Sequence, residues 1–312
     1  MIRVQGLVAG YRSGFTRVWR DVLRGVSFHV PRGAVAGYLG VNGAGKTTTI
    51  KVLVGINPLR GGTVEIGGSP AGSREAQARL GYFPEAPWFY EGLSARELLG
   101  FYARLSGVAR ERRAARSAEV LEMVGLAEAA DQAVRGFSKG MRQRLGLAQA
   151  LVHEPELLVL DEPLDGLDPM GRLQLRELIA REGRAGRTVF FSSHVLGDVE
   201  AICDHLVVLD GGTTAYEGSP RDLVGGAEAG VDLEAAGLSS EGLAAVGAAA
   251  GATPEPRGEG RWALHCADQP AADRALDAVR TAGGKVVLLA PRRPSLEELF
   301  LRRFQGKKGA GA

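Results

Sequence analysis

The sequence predicts an α/β protein: a mainly parallel sheet at the core, an antiparallel β patch, a helical insertion and a small C-terminal α+β domain. Three observations carry that prediction. Short apolar runs recur at residues 34–39, 157–160, 188–191 and 205–209, each with the length and texture of a strand buried on both faces. Stretches of helical periodicity lie between them, residues 173–181 among them, and strands alternating with helices imply a parallel sheet covered on both sides. Finally, the texture of the chain changes twice, once near Pro87 and again near Val224.

In order along the chain, residues 2–8, 26–30 and 63–66 read as strands and form the antiparallel patch. Residues 87–136 are rich in Ala, Leu, Arg and Glu. Their apolar positions fall three and four apart (Leu98, Leu99, Tyr102, Leu105; Val120, Leu121, Val124), the spacing of a separate helical insertion. A glycine- and alanine-rich linker at 225–230 divides a first domain, 1–223, from a second, 224–312. Beyond the linker the order is strand 231–234, helix 240–250, strand 262–266, helix 271–282, strand 286–289 and helix 295–304, with a disordered Ala/Gly tail as the alternative.

The 312 residues are enough for two domains, and a formal net charge of +2 is close to balance. That balance removes the strongest reason to expect a nucleic-acid partner, which needs a concentrated basic surface. Arg12, Arg17, Arg20 and Arg24 read as a solvated loop face. Cys203 and Cys266 are far apart and lack metal-type spacing, as expected of small apolar side chains in a reducing compartment. The chain has no run of about 18 apolar residues and no apolar secretory core, so a cytosolic chain is expected.

The first motif is Gly40-Val41-Asn42-Gly43-Ala44-Gly45-Lys46-Thr47, a complete G-x-x-x-x-G-K-[ST] phosphate loop between a buried strand and a helix-forming run that starts at Thr48. Its glycines let backbone N–H groups turn onto phosphates at a positive helix N-terminus. Lys46 would neutralise the β- and γ-phosphates, and the Thr47 hydroxyl would bind Mg²⁺. The second motif is an apolar strand, residues 157–160, that ends in Asp161 and Glu162. Ligands collect at the C-terminal edge of a parallel sheet, so Lys46 and Asp161 should meet there. Asp161 is then the expected Mg²⁺ ligand, and Glu162 the general base on the attacking water. Ahead of that strand, Phe137-Ser138-Lys139-Gly140-Met141 opens a helix that Ser138 can cap.

With these motifs in that order, residues 2–222 resemble the ATPase subunits of ABC transporters. The resemblance is carried by the phosphate loop, a Q-loop segment (Gly81-Tyr82-Phe83-Pro84-Glu85), the signature at Ser138 and the two acids. A D-loop (Asp165-Gly166-Leu167-Asp168-Pro169) and a switch segment (Phe191-Ser192-Ser193-His194) complete it. It implies ATP as substrate with Mg²⁺ as cofactor, and a γ-phosphate contact from His194. It also implies a head-to-tail pair, homodimer or paralogous, in which Ser138, Gly140 and Asp168 face the ATP that Gly40–Thr48 of the other copy hold. Tyr11 is the candidate for stacking on adenine; covering the β patch is the other reading, since an insertion at residues 12–24 blurs the alignment.

This chain departs from the common pattern at two places. Lys139 and Met141 interrupt the usual Leu-Ser-Gly-Gly-Gln, and Glu85 replaces the Q-loop glutamine, keeping an Mg²⁺-capable oxygen while adding negative charge. Both changes resemble the drug, antibiotic and polysaccharide exporter branch, where ATPase and permease are separate chains. The implied location is the cytoplasmic face of the membrane, peripheral through the permease. Trp88, Phe89 and Tyr90 either contact that permease or pack on the helical insertion. The rival function, a soluble ABC ATPase acting on nucleic acid or ribosomes, would show long coiled-coil insertions, zinc-type cysteines or two fused halves, and this sequence has none.

Overall fold

The computed structural model describes residues 1–12, 19–225 and 230–292. In chain order the first part comprises β1 (Ile2–Arg12), β2 (Trp19–Val30), β3 (Val35–Leu39), α1 (Lys46–Leu53), β4 (Gly61–Ile66), β5 (Ser69–Pro70), α2 (Arg74–Ala78) and β6 (Leu80–Phe83). There follow α3 (Ala95–Leu105), α4 (Arg113–Met123), α5 (Lys139–Leu151), β7 (Leu157–Leu160), α6 (Pro169–Arg184), β8 (Thr188–Ser193), α7 (Leu196–Ile202), β9 (His205–Asp210) and β10 (Thr213–Gly218). A short α8 (Pro220–Gly225) precedes β11 (Val231–Ala236), α9 (Ser240–Ala250), β12 (Glu255–Gly258), β13 (Arg261–Cys266), α10 (Gln269–Thr281) and β14 (Lys285–Pro291). The chain divides into two compact units, Met1–Pro220 and Arg221–Ala312.

The first unit is built on a six-stranded sheet of order β10-β9-β3-β8-β7-β6, parallel except for the antiparallel edge strand β10. Every residue of β3, β7 and β8 is buried, which is why these strands are near-continuous apolar runs. A second, antiparallel sheet of order β2-β1-β4-β5 packs its apolar face into the same core, where Phe28 stacks on Phe190 at 5.6 Å and Tyr38 lies 5.1 Å from Phe190. The helical insertion contributes α3, started by a Ser94–Glu97 capping box, and α4.

Several sequence expectations are corrected here. Arg20 and Arg24 lie on the exposed side of β2, so they belong to a strand rather than a loop; Arg17 falls outside the described residues. Strands β6 and β10 carry no clear sequence signal. β6 has four residues and contains Gly81, where a Cβ would sit 2.1 Å from the Ala150 carbonyl oxygen, so helix α5 passes too close for any side chain. β10 is a polar edge strand whose residues alternate between exposed and half-buried.

The second unit is a four-stranded antiparallel sheet, β12-β13-β11-β14, with α9 and α10 against it. Leu233, Leu264, Val246, Ala272 and Val279 form its core. The unexpected strand is β12; the helix expected at 295–304 lies outside the described residues.

Candidate functional site

The phosphate loop leaves β3 at Leu39 and enters α1 at Lys46. Gly45 caps that helix with φ +114°, a conformation that L side chains avoid, and a Cβ there would fall 2.5 Å from Leu23 Cδ2 of β2. The antiparallel sheet therefore presses directly against the loop. The Lys46 ammonium is buried and donates to the Gly40 carbonyl at 2.8 Å, holding the loop closed around its own axis.

At the adjoining strand end, Asp161 is buried and its N–H donates to the Phe83 carbonyl at 2.9 Å, pinning β7 to β6. Asp161 Oδ1 accepts from Ser192 Oγ at 2.7 Å and from Thr47 Oγ1 at 3.3 Å. Burial raises the Asp161 carboxyl above its ordinary value, against the two hydroxyl hydrogen bonds; the neighbouring Glu85 and Glu162 charges push it the same way as burial. Glu85 is exposed, close enough to Asp161 and Tyr82 for its charge to act on both. Burial, aided by those two carboxylates, pushes the Tyr82 phenol up to about 12.

Among the described residues, Glu162 is one of three non-glycine residues with positive φ, at +45°. Such a conformation costs about 1–3 kcal/mol and persists only where neighbours enforce it. Here the Glu162 N–H donates to Ser192 Oγ at 2.8 Å, and its carbonyl accepts from the Asp165 N–H at 3.1 Å. The result aims the carboxylate between two cationic or hydrogen-bonding groups. Glu162 Oε1 lies 3.2 Å from Lys46 Nζ, and Oε2 lies 3.0 Å from His194 Nδ1. Ser192, fully buried, thus donates to one acid and accepts from the backbone of the next. Sequence alone places Ser192 only within the switch segment. Its signal was a hydroxyl at the end of a strand buried on both faces, where a polar group needs a partner.

The structure therefore brings together Lys46, Thr47, Asp161, Glu162 and His194, with Glu85 beside them. Ser138, Gly140 and Asp168 line a different cleft of about 370 Å³, between the first turns of α5 and α6. Ser138 Oγ accepts from the Met141 N–H at 3.2 Å, and Asp168 Oδ1 from the Gly171 N–H at 2.9 Å, so both are helix caps. Among the described residues, no hydrogen bond or ion pair joins these three to the phosphate-loop group. Tyr11, near the end of β1 opposite Arg20, is 52% exposed. Phe89 is buried, whereas Trp88 is 84% and Tyr90 56% exposed, so the aromatic run is divided rather than wholly exposed. Arg142 Nη1 meets Glu91 Oε1 at 3.0 Å and ties α5 to this segment.

A strand–loop–helix phosphate cradle beside an acid-ended parallel strand defines a P-loop nucleotide-binding ATPase. Comparison with known proteins is more specific. The ABC transporter family matches residues 23–165. An ABC transporter ATP-binding protein of Synechocystis sp. is 37% identical over 298 residues, covering 95% of this chain and 82% of its own length. The linearmycin resistance ATP-binding protein of Bacillus subtilis is 36% identical over 231 residues, 73% of this chain and 74% of its own. A solved ATP-binding subunit of an ABC transporter superposes with a TM-score of 0.64 at 32% identity, covering 72% of this chain and 91% of that one. The chain belongs to the ATP-binding proteins of ABC transporters, which hydrolyse ATP to power transport. Among the described residues no helix is long and apolar enough to cross a membrane.

Proposed function

We propose that this chain drives export through a separate membrane-spanning permease, as one of two ATPase subunits that close on ATP and reopen on hydrolysis. The observation that carries the reading is the Glu162 carboxylate, held 3.2 Å from Lys46 Nζ and 3.0 Å from His194 Nδ1. A carboxylate fixed at that distance from the phosphate-binding lysine can take the proton of a water attacking the γ-phosphorus. As the new P–O bond forms, the bond to the β–γ bridging oxygen breaks and ADP leaves. Lys46 offsets the charge on the phosphates, and His194 orients Glu162 while contacting the γ-phosphate.

The oxygen donors of Thr47, Asp161 and Glu85 suit magnesium, which prefers a hydroxyl and one or two carboxylates beside substrate phosphates. The Thr47–Asp161 contact of 3.3 Å puts two of these donors side by side. When bound, the ion neutralises β- and γ-phosphate charge. Gly40, Asn42, Gly43, Ala44, Gly45 and Thr48 would complete the phosphate cradle, with Tyr11 on the adenine.

The distinct cleft of Ser138, Gly140 and Asp168 supports a second subunit, since one copy does not join these residues to its own phosphate loop. Export, rather than import, is supported by the resistance function in the name of the Bacillus relative and by the Lys139, Met141 and Glu85 departures. For the permease contact we favour Trp88 and Tyr90 with Phe101, which meets Tyr90 edge-on at 5.9 Å, because exposed aromatics at this density mark an interaction site. The protein would then lie peripherally on the cytoplasmic face of the membrane.

Affinity purification of a tagged copy in mild detergent tests the assembly. A stoichiometric multi-span partner supports it, and a Trp88→Ala copy should lose that partner while binding ATP normally. Recovery with ribosomes or nucleic acid instead would replace export with action on those partners.

A further inference from the structure

One ion pair joins the first turns of α6 and α7, and the hydrolysis scheme above assigns it no part. Arg172 is the fourth residue of α6, one turn beyond the Asp168 cap. Its Nε donates to Asp198 Oδ1 at 3.1 Å and its Nη2 to Asp198 Oδ2 at 2.7 Å. Asp198 is the third residue of α7; its side chain is 4% exposed, and that of Arg172 is 34% exposed. A two-pronged guanidinium–carboxylate contact fixes both distance and angle, which an apolar contact does not. A well-packed apolar pair of equal volume would stabilise the fold about as well as a buried ion pair, so what the charges add is geometry.

That geometry closes a ring. Glu162 accepts from the Asp165 N–H at 3.1 Å, and the chain then runs through Asp168 into α6 and Arg172. Arg172 holds Asp198, α7 leads back to His194, and His194 Nδ1 returns to Glu162 Oε2 at 3.0 Å. The loop bearing Asp165 and Asp168 and the segment bearing His194 are therefore connected twice, through Glu162 and through Arg172–Asp198. We propose that Arg172 and Asp198 are positioning residues whose ion pair sets the Glu162–His194 spacing and transmits any shift of the Asp165–Asp168 loop to it. This rests on the roles given to Glu162 and His194 above.

The test compares full-length protein carrying Arg172→Met with Asp198→Leu, Arg172→Lys, His194→Ala, and all of the Met, Leu and Ala changes together. ATP turnover, KM, ATP affinity and melting temperature are measured on each. The paired Met and Leu changes remove both charges without burying a lone one. They should lower kcat about tenfold or more, as a misplacement of an ångström or less can, with KM and affinity within about twofold. Their melting temperature should stay within about 3 °C of the parent. Arg172→Lys, which cannot form the fork, should recover less than half of the lost rate. On the His194→Ala background the paired changes should cost no further rate, the non-additivity expected of residues acting through one another. An unchanged kcat in the paired variant overturns the proposal, as does an equal fractional loss on the His194→Ala background. If His194→Ala itself turns over normally, the role of His194 fails first and takes the proposal with it.

Discussion

The six-stranded sheet of the first unit and the four-stranded sheet of the second place their polar residues in opposite ways. In the first, β3, β7 and β8 are buried along their whole length, so polar side chains reach the strands mainly at their ends. Asp161, Glu162, Ser192 and the phosphate loop all sit at the same edge as a consequence. In the second unit, β11 alternates buried Val231, Leu233 and Ala235 with half-buried Asp232, Glu234 and Ala236. Its polar groups spread across an outer face, where Asp232 Oδ1 meets His265 Nδ1 at 2.7 Å and Glu255 lies 3.7 Å from Nε2. A sheet covered on both faces concentrates chemistry at an edge, and a sheet covered on one face disperses it.

The comparison breaks most readily at Glu162. Glu162→Gln keeps the shape of the site but removes the base, so turnover should fall by about 10²–10⁴ while ATP still binds; phosphate release near the parent rate would take Glu162 out of that role. In the second unit a change of similar energetic size should leave the chemistry alone. Leu233→Ala removes the centre of its core and should destabilise that unit by about 2–5 kcal/mol. Calorimetry should show the loss, with ATP affinity unaltered; a matching loss of ATP affinity would erase the distinction between the two regions.

Ser192→Ala sharpens the edge argument with a smaller effect. It strips one hydrogen bond from the charged form of Asp161 and leaves the Glu162 N–H without its acceptor, at a cost of about 1–3 kcal/mol. Because that hydrogen bond favours the carboxylate, its loss raises the Asp161 carboxyl further. The acid limb of the pH–rate profile should therefore move to higher pH, and an unmoved limb would separate Asp161 from turnover.

The smallest effect concerns His153, whose Nε2 lies 3.0 Å from the Leu80 carbonyl while Nδ1 is buried without a partner among the described residues. Burial lowers its pKa, so below about pH 6.5 the unfolded chain binds the proton and the folded chain resists it. Stability conferred by the neutral ring is present above that pH and is lost as pH falls towards the folded value. His153→Gln should flatten the acid side of a melting-temperature profile; an unchanged slope would assign the acid sensitivity elsewhere.

Much of this site was legible because its parts are local in sequence. Eight consecutive residues specify the phosphate loop, and an apolar run ending in Asp161-Glu162 specifies the neighbouring strand end. Ser138 was equally readable as a cap, whereas the capping of α6 by Asp168 emerged from the structure. Legibility failed where the signal was short or polar, as at β6 and β10, or where exposure depends on packing, as for Phe89 between exposed Trp88 and Tyr90.

Spacing and periodicity, which are properties of neighbouring residues, specified most of the strands and helices, the phosphate cradle and the identities of the lysine, acids and histidine. Only the tertiary structure decided that Ser192 serves both acids, that Glu162 stands between Lys46 and His194, and that Arg172 grips Asp198. Those contacts join residues 26 to 116 positions apart, from Arg172–Asp198 to Lys46–Glu162. No local pattern encodes them; they exist because parallel strands bring distant strand ends to one edge.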